Sequence, residues 1–202
     1  MNNKIGTDID ILKTALLNGG VVAFPTETVM GLGVVFDNKE AYVRLNQIKG
    51  RPEDKPYTLM LGDIKDISKY AYITERDQKI IDKFMPGPLT ILLKARDNVP
   101  NWVTHNTGII GIRVPGYDLL LNILKYVEKP LLVPSANPSG LEPAKNVDKV
   151  IVYFSNSLDY IYNHNSGGEV PSTIIDLTGK AIKLIREGSI SLSVILNQIG
   201  EY

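Results

Sequence analysis

Apolar residues recur along this chain in two rhythms, and their alternation predicts its architecture. In TDIDILKTALLNGG (7–20), Ile9, Leu12, Ala15 and Leu16 share one helical face, with Asp8 as the N-cap and Gly19-Gly20 as the stop. VVAF then reads as a buried strand ending at Pro25. GVVF is a second strand, leading to a helix around NKEAYVRLNQIKG that Gly50 stops. YTLML and LTILLKA are strands on either side of one or two helices between Asp63 and Phe84, and GIIGIRVP is another strand. A helix through DLLLNILKYVEK follows, then the strand LLVPSAN, a helix at NVDKVIVYF, the strands LDYIY, STIIDL and AIKLIREG, and a last helix from Ser191. Strands interleaved with helices predict an α/β sheet covered by helices. The hairpin expected through Thr178-Gly179-Lys180 makes that sheet mixed.

The chain has 202 residues and no internal repeat or composition break, so a single domain over 1–202 is expected. Lys plus Arg equals Asp plus Glu at 22 each, which leaves no global positive field, so any anion site is local. The absence of cysteine excludes disulfides, thiolate metal sites and a cysteine nucleophile. Residues 1–20 carry no continuous apolar core of a signal peptide, and no run approaches a membrane span; a cytoplasmic protein without membrane partners is expected.

Several familiar chemistries are missing. Neither a G-x-x-x-x-G-K-[ST] loop nor a complete dinucleotide fingerprint occurs, because Gly31-x-Gly33 lacks the third glycine. His105 and His164 stand far apart without metal-ligand spacing, and no serine sits in a G-x-S-x-G elbow.

What remains is a set of polar segments at strand ends. PTETVMGLG (25–33) sets two threonines, a carboxylate and two glycines between apolar runs, a density that favours a ligand loop over a bland turn. KGRPEDKP (49–56) places Lys49, Arg51 and Lys55 around Pro52, with Pro56 closing the segment; it reads either as a polyphosphate site or as a solvated basic turn. LLVPSANPSG (131–140) presents Ser135 and Asn137 on the same side of a strand end. Ser172 lies at the mouth of one late strand and Arg186 at the end of the next, while Arg113 ends GIIGIRVP.

Taken together, GGVVAFPTETVMGLG, KGRPEDKP, PGPLTILLK, GIRVP, SANPSG and STIIDL...LIREG resemble, in order and approximate spacing, the YrdC-like threonylcarbamoyl-AMP synthases in their minimal single-domain form, over about residues 10–190. The resemblance implies an open twisted mixed sheet with flanking helices and a concave, locally basic face. It also implies a reaction in which L-threonine, bicarbonate and ATP, with Mg²⁺ carried by the phosphates, give threonylcarbamoyl-AMP and pyrophosphate for the threonylcarbamoyl modification of tRNA. Such a product would pass to a downstream threonylcarbamoyl-transferase complex.

By the same resemblance Lys49, Arg51, Ser135 and Asn137 form the catalytic group. Arg51, Lys55, Asn137, Lys145 and Arg186 contact ATP, and Thr28, Arg113, Ser135 and Ser172 contact threonine and its carbamate. Two positions depart from the family pattern: Met30 stands where many relatives have tyrosine, and Met60 where some have histidine. If the segment is extended, Met30 faces the same way as Thr28, toward the threonine pocket. The alternatives are a divergent paralogue that makes no adenylate, and a double-stranded RNA or tRNA-binding module, which neutral net charge and the single tryptophan disfavour.

Overall fold

The computed structural model describes residues 4–50, 56–154 and 156–200, so Arg51 and Lys55 lie outside the described residues. Helix α1 (Ile9–Leu17) starts where the pattern predicts. The Asp8 carboxylate accepts from the Asp10 and Ile11 backbone N–H groups, and Leu12 and Leu16 are buried. Strands β2 (Val22–Phe24) and β3 (Gly31–Val35) follow, then α2 (Lys39–Lys49), which is capped by Asn38 and ends at Gly50 in the left-handed conformation.

The region from Asp63 to Phe84 holds a short 3₁₀ turn, α3 (Ile67–Tyr70) and α4 (Glu75–Phe84), between β4 (Thr58–Met60) and β5 (Leu89–Lys94). Next come α5 (Asn101–Thr104), β6 (Ile109–Arg113), α6 (Asp118–Val127), β7 (Leu131–Val133), α7 (Val147–Phe154) and β8 (Tyr160–Tyr162). The hairpin β9 (Thr173–Asp176) and β10 (Lys183–Arg186) and the helix α8 (Leu192–Ile199) complete the order. Two elements escape the sequence pattern: β1 (Ile5–Gly6) and α5, each too short to show a period.

The strands join in one mixed sheet of order β1-β8-β2-β3-β7-β4-β6-β5-β9-β10. Pairs β1/β8, β2/β8, β4/β6 and β5/β9 are parallel, and β2/β3, β3/β7, β4/β7, β5/β6 and β9/β10 are antiparallel. The central strands are buried on both faces, which is why they read as continuous apolar runs. Their residues alternate between two cores. Val22, Phe24, Leu131 and Val133 pack with α1 and α6, while Val21, Ala23, Leu32 and Leu132 pack with residues of α2, α4, α7 and α8.

The glycines of the Gly31-x-Gly33 pair serve this packing. Phe24 lies across the ladder from Gly31, and a Cβ on Gly33 would stand 2.4 Å from the Phe24 ring.

Beyond its last paired residues the β3/β7 ladder continues in reverse. A bridge joins Gly31 to Ser135, with Leu32 N donating to Pro134 O at 3.0 Å and Ala136 N to Met30 O at 2.8 Å. This continuation draws the loop before β3 and the loop after β7 to the same place. No helix among the described residues is long and apolar enough to cross a membrane.

Candidate functional site

A cleft open to solvent lies where these loops meet β4, β6 and β9. Thr28, Met30, Arg113, Ser135, Ser172 and Arg186 all line it, so residues from 28 to 186 converge as the sequence predicts.

At one end the 26–29 turn is organised by Thr26. Its hydroxyl donates to Val29 O at 2.7 Å and accepts the Thr28 N–H at 3.0 Å. Because the single Thr26 proton is given to Val29, the 2.8 Å contact between the two hydroxyls has Thr28 as donor. The Thr28 oxygen thereby keeps its lone pairs for Arg113, whose two terminal nitrogens approach it at 3.4 and 3.5 Å.

Arg113 is almost fully buried at the end of β6. Its Nε donates to Gly87 O at 3.2 Å, and a terminal nitrogen pairs with Glu27 Oε1 at 2.7 Å. Five N–H donors exceed these partners, and Arg113 still lines the cleft, so part of the fork remains for a ligand carboxylate.

At the other end Arg186 donates to Ser172 O from Nε at 3.1 Å and from a terminal nitrogen at 2.7 Å, and to Ser172 Oγ at 3.2 Å. Ser172 Oγ lies 3.1 Å from Thr90 Oγ1. Among the described residues Arg186 has no carboxylate partner. Burial of its guanidinium and then the neighbouring Arg113 charge lower its pKa, yet it remains a cation at neutral pH. Two guanidinium groups that repel one another across a cleft make a site for an anion.

A β-bulge aims Arg186 there. Lys183 faces Asp176 and Leu184 faces Ile175, but Arg186 rather than Ile185 faces Ile174. The extra residue puts Arg186 on the face of Ile174, which lines the cleft; an unbroken ladder would turn it away.

Lys49, Asn137 and Lys145 hold other places. Lys49 is 2% exposed and donates to Ser135 O at 2.6 Å and to Asn137 O at 2.5 Å, so its ammonium supports the loop after β7 from within. The Asn137 amide turns into its own loop, accepting from Ser135 Oγ at 2.6 Å and donating to Pro138 O and Leu141 O. Lys145 is exposed and pairs with Glu169 at 3.0 Å. Met30 lines the cleft and is also a fully buried core residue, and the chain bends over 27–29, so its orientation does not come from an extended phase. Met60 is 4% exposed and lines the cleft beside Arg113, its partner in the β4/β6 ladder.

Sequence reasoning passed over Thr26, Glu27 and Thr90 as individual contributors. The first two lay inside the polar PTET stretch. Thr90 gave no signal, being one hydroxyl in an apolar strand.

The Sua5_yciO_yrdC family model, described as telomere recombination, matches residues 14–188. A protein of Methanocaldococcus jannaschii, named provisionally as a threonylcarbamoyl-AMP synthase, is 37% identical over 91% of this chain and 87% of its own length. A threonylcarbamoyl-AMP synthase of an Enterobacter species is 31% identical over 91% of this chain and 99% of its own. Among solved structures, Sua5 of Pyrococcus abyssi complexed with L-threonine superposes with a TM-score of 0.91 at 33% identity. The superposition covers 96% of this chain and 57% of that protein, so the chain spans little more than half of it.

Proposed function

The chain belongs to the Sua5_yciO_yrdC family, and we propose that it is a threonylcarbamoyl-AMP synthase, joining L-threonine, bicarbonate and ATP. The observation that carries this reading is the convergence of Thr28, Arg113, Ser172 and Arg186 on one cleft: a hydroxyl and a guanidinium at one end, a hydroxyl and a second guanidinium at the other.

In the proposed reaction the threonine amine attacks the carbon of bicarbonate or CO₂ to give a carbamate, with water leaving in the bicarbonate case. A carbamate oxygen then attacks the α-phosphorus, and the bond to pyrophosphate breaks. No protein nucleophile is needed, and among the described residues none stands in the cleft as an activated pair. Arg113 and Thr28 would hold the threonine carboxylate. Ser172, with Ser135, would orient the carbamate, and Arg186 would offset charge growing on the phosphates. By family resemblance Arg51 and Lys55, which lie outside the described residues, would contact the phosphates, and Asn137 and Lys145 would join them only by leaving the loop carbonyls and the Glu169 carboxylate that they hold here. Lys49 would support catalysis by holding the Ser135–Asn137 backbone.

Mg²⁺ would enter with ATP and neutralise phosphate charge. Among the described residues no group of three or more His, Asp or Glu side chains gathers as a metal site, and the cleft offers guanidinium and hydroxyl groups, a donor set that suits a metal carried by phosphates. The adenylate would go on to a transferase acting on tRNA, in the cytoplasm where tRNA is modified.

The test is pyrophosphate release measured with each component omitted in turn. Release is expected only when ATP, Mg²⁺, bicarbonate and threonine are all present. Release that persists without threonine overturns the assignment.

A further inference from the structure

Glu27 stands behind the cleft wall and is not among the residues that line it. Its Oε1 accepts from two sides, the Arg113 guanidinium at 2.7 Å and the Gly116 backbone N–H at 2.7 Å. Its other oxygen, Oε2, is buried and has no hydrogen-bond partner among the described residues. An orphaned carboxylate oxygen costs desolvation energy, and here the Arg113 charge offsets it. Mere filling of this space would be served better by an apolar side chain, so the carboxylate is there for the guanidinium.

The surrounding backbone is equally fixed. Gly167 N donates to Thr26 O at 2.8 Å, and a Cβ on Gly168 would stand 2.5 Å from Glu27 O. The turn that carries Glu27 is therefore clamped, and the carboxylate is a firm anchor. With Gly87 O taking Nε from one side and Glu27 taking a terminal nitrogen from the other, the plane of the Arg113 fork is set.

Resting on the synthase reading, we infer that Glu27 is a positioning residue: it aims the free edge of Arg113 at the substrate carboxylate and thereby sets affinity for the amino acid without touching it. The phosphate end, where Arg186 stands, does not depend on it.

Calorimetric titration of the full chain with L-threonine, and separately with ATP, tests this without relying on turnover. Glu27→Ala is expected to weaken threonine binding about tenfold or more, the loss of one charge-assisted contact, while ATP affinity stays within about twofold. Glu27→Gln keeps an acceptor at the Oε1 position and should bring threonine affinity back to within about threefold of the native protein. Glu27→Asp, one methylene short of reaching Arg113 and Gly116 together, should resemble the alanine variant and serves if that variant fails to fold. Native threonine affinity in Glu27→Ala, or in Glu27→Asp where it stands in, overturns the inference. So do equal losses for threonine and ATP in every variant, which mark a purely structural residue. A native chain that binds no threonine overturns the synthase reading itself, a result distinct from a native chain that binds threonine and a variant that binds it equally well.

Discussion

The Lys49 ammonium lies 2.6 Å from the Ser135 carbonyl oxygen, so the last residue of α2 holds the loop that follows β7 from 86 positions away. The same nitrogen donates to Asn137 O at 2.5 Å, and Ser139 N returns a bond to Lys49 O at 2.8 Å. Ser135 owes its place in the cleft to this support. Lys49→Met should therefore lower stability by ~2–4 kcal/mol, the cost of stranding carbonyls that a buried cation had satisfied. Thermal or denaturant unfolding checks it. Native stability with ATP affinity alone reduced would show that Lys49 acts by direct contact instead.

Arg186 is held by a carbonyl and a hydroxyl and by no carboxylate among the described residues. Arg186→Ala should weaken ATP binding by ~1.5–3 kcal/mol, the scale of a hydrogen bond to a charged group, with a smaller effect on unfolding. Arg186→Lys restores the charge without the fork and should recover only part. If Arg51 shares the same phosphates, the double alanine variant will depart from additivity in ATP titrations. ATP affinity unchanged in Arg186→Ala would remove this residue from the site.

Met30 is a packed core residue as well as part of the cleft wall. Its backbone is bonded on both sides, from Met30 N to Ala144 O and from Ala136 N to Met30 O. Met30→Tyr should therefore overpack, lowering stability by ~1–3 kcal/mol and weakening threonine and ATP binding together. A melting temperature equal to the native one, with tighter threonine binding, would show that the wall has room for the ring.

Gly188 lies two residues beyond the strand that carries Arg186, and its N–H donates to Thr173 Oγ1 at 3.0 Å. A Cβ there would meet Pro171 O at 2.2 Å and the Ser172 carbonyl carbon at 2.5 Å, backbone atoms that cannot step aside. Gly188→Ala should cost ~2–4 kcal/mol in unfolding free energy and weaken ATP binding by displacing the carbonyl that seats Arg186. A variant with native stability and native ATP affinity would contradict the close approach.

The sequence by itself determined most of the elements and pointed to several polar residues of the cleft. Asp8 and Asn38 cap α1 and α2, Gly50 ends α2, and continuous apolar runs became the doubly covered central strands, because capping chemistry and burial periodicity are local properties that survive in one dimension. Thr28, Arg113, Ser135, Ser172 and Arg186 were legible for a related reason: each is a polar residue beside an apolar run.

Which way those residues point was not local. An extra residue at Ile185 reverses the side on which Arg186 emerges, and only pairing with β9 reveals it. Lys49 looked like a cation on a basic turn, but packing buried it, and a buried ammonium takes whatever acceptors surround it, here two carbonyls. Glu27 became a partner of Arg113 because the strand order brings β6 and the turn before β3 to one cleft, where the long Arg113 side chain reaches the turn, and no spacing along the chain records that.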